Sequence, residues 1–146
     1  MKEPSAKHAT FVIERHYKAS PDQVFSAWAN PETKSMWFPK AETFEFRIGG
    51  REINRGGPPG GPIYTFDACY QDIVPNSRIV YTYTMDMYDT RISVSVTTVE
   101  FKPADGGTKL IFTEQGVFLD GHDTPEQREH GTKALLDKLG DVISRL

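Results

Sequence analysis

The sequence predicts an α+β fold: a curved antiparallel β-sheet of about six to seven strands wrapped around a long C-terminal helix, with two short helices after the first strand. Three observations predict it. The middle of the chain is a series of period-two apolar runs separated by turn residues. Ser20-Pro21-Asp22-Gln23 and Thr124-Pro125-Glu126-Gln127 are both helix-start signals. The last residues carry apolar positions at helical spacing.

Taken in order, residues 1–8 are polar and are expected to be a loose start. From Ala9 to Lys18 the chain alternates, with Phe11, Ile13 and Tyr17 opposite Glu14, His16 and Lys18, as in a half-buried strand. Ser20 then opens a helix whose apolar face is Val24, Phe25, Ala27 and Trp28. Asn30-Pro31 ends it and starts a second short helix through about Phe38. Phe44, Phe46 and Ile48 alternate with Glu45 and Arg47, which predicts a strand that Gly49-Gly50 closes with a tight turn or bulge.

A short strand at Arg51–Arg55 leads into residues 56–62, all glycine or proline, which can only be a long hairpin loop. Tyr64, Phe66, Ala68 and Tyr70 alternate next, Pro75-Asn76 turns the chain, and Ile79, Tyr81, Tyr83 and Met85 form the following strand. Asp86–Asp89 is another turn. Ile92, Val94 and Val96 alternate with serines, and the apolar phase shifts at Val99 and Phe101, which predicts a bulge near Thr97-Thr98. After Asp105-Gly106-Gly107, the last strand sets Leu110, Phe112 and Glu114 on one face. Leu135, Leu136, Leu139, Val142, Ile143 and Leu146 predict a helix from about residue 124 to the end, roughly 34 Å long.

With 146 residues, 38% hydrophobic and 25% charged, the chain reads as a single domain over 1–146. A net charge of -3 argues against general nucleic-acid binding, which needs clustered Lys and Arg. The single cysteine, Cys69, excludes an intrachain disulfide and any multi-cysteine metal site. His8, His16, His122 and His130 have no metal-ligand spacing, so no metal or cofactor is expected. No signal peptide and no membrane span is read, and the expectation is a cytoplasmic protein.

Several stretches carry a family resemblance. Phe11–Pro39, "FVIERHYKASPDQVFSAWANPETKSMWFP", resembles the opening of the SRPBCC superfamily, the START-like or helix-grip proteins. Within it the match is to the branch similar to the activator of the heat-shock-protein-90 ATPase. "EFRIGG" at Glu45–Gly50 resembles that branch's acid-x-Arg-x-Gly-Gly element, "YQDIVPNSRIVY" at Tyr70–Tyr81 its strand-turn-strand, and "GGTKLIFTEQGVF" at Gly106–Phe118 its following strand. The branch commonly reads Gly-Trp early in the last helix, where this chain has Gly131-Thr132. The resemblance implies a cavity between sheet and helix. It implies function only broadly, since relatives include hydrophobic-ligand carriers, aromatic cyclases and co-chaperones.

The leading expectation is therefore a module that binds a small, mainly hydrophobic molecule. Its candidate lining is Trp37, Phe46, Arg47, Tyr64, Phe66, Tyr81, Tyr83, Phe112 and Glu114. The plainer reading of the aromatics is solid core. Glu114 on an apolar face is costly without a partner; it is either a polar anchor or acid/base group, or half of a structural pair with an arginine such as Arg47 or Arg91, or exposed at the strand's end. Arg47 either holds an anionic ligand group or bonds across the sheet beside Glu45. The Gly-Pro loop is either a lid or a flexible tip. The alternatives are a cyclase-like enzyme with Glu114 and Arg47 or a tyrosine as its acid/base pair, and a co-chaperone-like protein that docks on a chaperone, ranked last for want of a second domain. A homodimer is compatible with either.

Overall fold

The computed structural model describes residues 3–146. The elements are β1 (Ala6–Tyr17), α1 (Pro21–Ala29), α2 (Pro31–Lys34), β2 (Ala41–Phe44), β3 (Arg51–Gly56), β4 (Tyr64–Val74), β5 (Arg78–Met87), β6 (Thr90–Ala104), β7 (Gly107–Leu119) and α3 (Pro125–Ile143). The strands form one seven-stranded sheet in the order β1-β7-β6-β5-β4-β3-β2, and every neighbour is antiparallel. This is the α+β helix-grip arrangement: the sheet curves, and α3 lies against its inner face.

The local chemistry explains the boundaries. Gln23 Oε1 accepts the Ser20 N–H and hydroxyl at 3.1 Å each, which ties down the start of α1. The Asn30 side chain accepts from the Glu32 and Thr33 amides and opens α2. Thr124 Oγ1 accepts from the Gln127 amide at 3.1 Å and opens α3. On α3, Thr132, Leu136, Leu139, Val142 and Ile143 are buried, a single stripe at helical spacing. The Tyr17 hydroxyl donates to the Leu136 carbonyl at 2.7 Å and pins the helix to the first strand. The core is continuous from Phe11 and Ile13 through Trp28, Tyr70, Tyr81 and Phe112 to Leu139.

Five details depart from the sequence expectation, and the first is α2, which ends at Lys34 rather than near Phe38. The start of the chain is not loose throughout, because Ala6–His8 pair with Val117–Leu119 in β1 and β7; Met1 and Lys2 lie outside the described residues. The strand expected through Ile48 stops at Phe44. Arg47 N–H donates to Glu45 O and Gly50 N–H to Arg47 O, so the chain folds back on itself there. A Cβ on Gly50 would sit 2.1 Å from the Glu45 carbonyl oxygen, and Gly49 has φ +83°, so this double turn requires both glycines. The bulge in β6 is not at Thr97-Thr98. The β5–β6 register slips between Met85 and Asp86, opposite Arg91–Ser93, and β6 then runs in register. Its inner face is Ser93, Ser95, Thr97, Val99 and Phe101, while Val94 is exposed. Finally, α3 ends at Ile143, leaving Leu146 exposed.

Candidate functional site

The register assembles the inner face row by row. Glu114 on β7 stands between Phe11 on β1 and Thr97 on β6, and Thr97 faces Tyr81 on β5. In the next row Gly116, Ser95, Tyr83, Ala68 and Glu52 follow one another from β7 to β3. Because side chains alternate along a strand, the small polar residues of β6 face inward with the tyrosines of β5. They surround Glu114, which is only 2% exposed.

Glu114 Oε2 accepts from the Tyr83 hydroxyl at 2.7 Å and from the Ser95 hydroxyl at 3.0 Å. The guanidinium of Arg128, one turn into α3, lies 3.5 Å from the same oxygen. Arg128 also donates to the Tyr83 hydroxyl at 2.7 Å, to Ser93 Oγ at 2.8 Å and to Asp123 Oδ2 at 2.9 Å. Every contact to Glu114 falls on Oε2, and Oε1 takes none of them. Burial pushes the Glu114 carboxyl above its ordinary value, against the pull of Tyr83, Arg128 and Ser95. Burial also drives the Tyr83 hydroxyl upward, reinforced by the neighbouring carboxylate, so it stays a donor.

A second buried pair lies across the cavity. Lys34, at the end of α2, is 2.6 Å from Glu52 Oε1 on β3, and the Tyr70 hydroxyl donates to the same oxygen. Glu52 Oε2 has no partner among the described residues. The Lys34 ammonium sits 5.0 Å from the Phe38 ring, with Trp28, Phe44 and Trp37 at 5.6, 5.7 and 6.0 Å. Burial lowers the Lys34 pKa, opposed by Glu52.

Between the two pairs is a cavity of about 80 Å³. Its aromatic wall is Trp28, Trp37, Phe38, Phe66, Tyr81, Tyr83 and Phe112; Met85, Thr132, Leu135 and Leu136 complete it, with Lys34, Glu114 and Arg128 as its charged members. Pockets that hold drug-sized ligands run to about 300–1,000 Å³, so this space is small. A wider groove outside it runs between Tyr64, Ile92, His122 and Gln127, and shares Met85, Arg128, Thr132 and Leu135 with the cavity. Gly131 is exposed beside the groove, and Thr132, where the resembling branch has tryptophan, is buried and donates to the Arg128 carbonyl at 2.8 Å.

Of the residues expected from sequence, Trp37, Phe66, Tyr81, Tyr83, Phe112 and Glu114 share this cavity wall. Tyr64 lines the outer groove instead. Phe46 packs edge-on against Phe25 and Tyr70, one layer behind the wall. Arg47 is on the surface, its side chain 66% exposed and 3.3 Å from Glu45, because the turn at residues 45–50 points it outward. The partner of Glu114 is therefore neither Arg47 nor Arg91, which pairs with Asp86 at the surface. Sequence reasoning missed Arg128, Lys34 and Glu52. Arg128 had a signal: it lies four residues before Thr132 on the buried stripe of α3. Glu52 had one too, since it alternates with exposed Arg51 and faces Ala68.

No group of three or more metal-ligating side chains occurs among the described residues. No helix among them is long and apolar enough to cross a membrane. No curated protein matches the chain. Solved structures do. A protein from Rhizobium leguminosarum is 46% identical over 99% of this chain and 100% of its own, with a TM-score of 0.92. One from Rhizobium loti is 45% identical over 94% and 99%, with a TM-score of 0.88. One from Chromobacterium violaceum is 25% identical over 92% and 96%, with a TM-score of 0.82. The sequence model described as "Activator of Hsp90 ATPase homolog 1-like protein" matches residues 18–144. With that span covered and the helix-grip fold in place, the chain belongs to the activator of Hsp90 ATPase homolog 1-like family.

Proposed function

We propose that the protein binds a small, mainly hydrophobic molecule between the inner face of the sheet and α3. The observation that carries this reading is the aromatic cavity with a buried carboxylate, Glu114, on its wall. A protein packed only for stability gains nothing from a void, because each unfilled volume costs dispersion contacts and burial. At about 80 Å³ the space admits a one-ring compound only with some side-chain displacement. Met85 and Leu135, flexible residues shared with the outer groove, are the side chains placed to yield. Tyr64 then stands at the entrance. The half-buried free thiol of Cys69 suits a reducing compartment, and we place the protein in the cytoplasm.

Native mass spectrometry of gently purified protein, compared with the denatured mass, tests the reading. A reproducible extra mass lost on denaturation is expected. Both tryptophans of the chain line the cavity, so their indole NMR signals report entry directly. A clean mass, together with indole signals that p-xylene leaves unmoved up to millimolar concentration, would sink the reading.

A further inference from the structure

We infer that the cavity selects its ligand by charge: it takes an apolar molecule bearing one hydrogen-bond donor, a hydroxyl or amine, and rejects the corresponding carboxylate. The inference rests on the cavity-binding reading and adds the chemistry of the ligand's polar end. Its basis is the arrangement of charges around the wall. Two cations, Lys34 and Arg128, face the cavity. Three carboxylates answer them: Glu52 on Lys34, and Glu114 and Asp123 on Arg128. Each cation is already engaged. Arg128 gives three of its five N–H donors to Tyr83, Ser93 and Asp123, and Lys34 lies at 2.6 Å from Glu52.

An incoming carboxylate would meet a guanidinium and an ammonium that are each already paired with a protein carboxylate, and would be desolvated beside Glu114. It would also add a like charge to a set of ion pairs in which three carboxylates already meet two cations. A donor has the opposite prospect. Tyr83 and Ser95 occupy Glu114 Oε2, which leaves Oε1 as the acceptor on the cavity wall. A hydroxyl or N–H that reaches it makes a charge-assisted hydrogen bond in a water-poor site, where such bonds are strongest. The aromatic walls accept the rest of the molecule.

Three one-ring probes of matched shape test this on the wild-type protein at pH 8: p-cresol, p-xylene and p-toluate. Binding is read from the indole NMR signals of Trp28 and Trp37. The expected order is p-cresol first, by about tenfold or more over p-xylene, with p-toluate weakest. In Glu114→Gln, which keeps the shape and loses the charge, p-toluate should recover ground on p-cresol by about tenfold. The wild-type ranking stands without the variant if that variant does not fold. Equal or tighter binding of p-toluate overturns the charge selection while leaving the cavity as a binding site. Binding of p-xylene as tight as p-cresol overturns Oε1 as the acceptor. Failure of all three probes to move either indole overturns the cavity reading, and this inference with it.

Discussion

Replacing Arg128 by methionine tests how the polar half of the cavity wall is held. Methionine keeps most of the apolar stem and removes the charge, so the effect isolates the guanidinium. Arg128 is almost wholly buried and makes three hydrogen bonds between 2.7 and 2.9 Å, besides its 3.5 Å approach to Glu114. At an effective dielectric constant near 20, a 3.5 Å pair attracts by about 5 kcal/mol, before the desolvation of both ions is counted. Removing one partner leaves Glu114 charged and uncompensated, a loss of about 3–5 kcal/mol. With a urea slope near 2 kcal/mol per molar, the unfolding midpoint should fall by about 1.5–2.5 M. The double variant E114Q/R128M should recover about 2 kcal/mol of that, because the stranded charge is gone. The loss in R128M should also shrink at pH 5, where Glu114 more readily takes up a proton. A midpoint within about 0.3 M of wild type, or strictly additive single and double variants, would refute the reasoning.

Further outcomes follow from the same geometry. Glu114 is raised by burial, so the folded state binds its proton more tightly than the unfolded chain. Wild-type stability should therefore fall relative to E114Q as pH rises from 4.5 to the raised value, by at most about 1.4 kcal/mol per pH unit, and then level off; parallel urea profiles across that window would contradict this. Gly116→Ala puts a Cβ 2.7 Å from Ser95 Oγ, which must leave Glu114. It should cost about 1–3 kcal/mol and markedly less in an S95A background, read from thermal melts of wild type, the two single variants and the double variant. Lys34→Met strands Glu52, only 1% exposed, and should cost about 3–5 kcal/mol; adding E52Q should restore much of it, and a K34M protein as stable as wild type would rule out the buried pair as an organising contact. Thr132→Trp restores the branch's aromatic and should fill the junction of cavity and groove, abolishing the p-cresol shift of the indoles; an unchanged shift would show that ligands do not pass there.

The fold was legible because its signals are local. Two Pro-containing start signals opened α1 and α3, and the turns at Pro75-Asn76, Asp86–Asp89 and Asp105-Gly106 separate β4 from β5, β5 from β6 and β6 from β7. The aromatic wall was legible for the same reason, since alternation alone sets Phe66, Tyr81, Tyr83 and Phe112 on one face. Phe46 and Arg47 were misplaced because the pattern around them alternates, yet the Gly49-Gly50 pair pulls the chain into a turn before a strand can continue. β6 was misread because its outward face is valine and its inward face serine and threonine, the reverse of the usual rule. That inversion makes sense only once Glu114 and Arg128 are seen opposite it, and no local pattern on β6 announces them. Arg128 and Glu114 are brought together by the docking of α3, which no periodicity encodes.

The sheet order has a kinetic consequence. β2 to β7 form a plain meander, each strand pairing with the one just before it. β1 alone pairs out of sequence, with Tyr17 opposite Thr108, roughly 90 residues later. On a ribosome, β1 has no partner until nearly the whole chain has emerged, while the meander can zip progressively behind it. The long loop must close before β1 and α3 cover the aromatic face, so ordering of the N-terminal strand should coincide with completion of the core. Until then the free edge of β7 is an open template for another chain. The step most exposed to misassembly in this molecule is therefore the last one, when its first strand comes home.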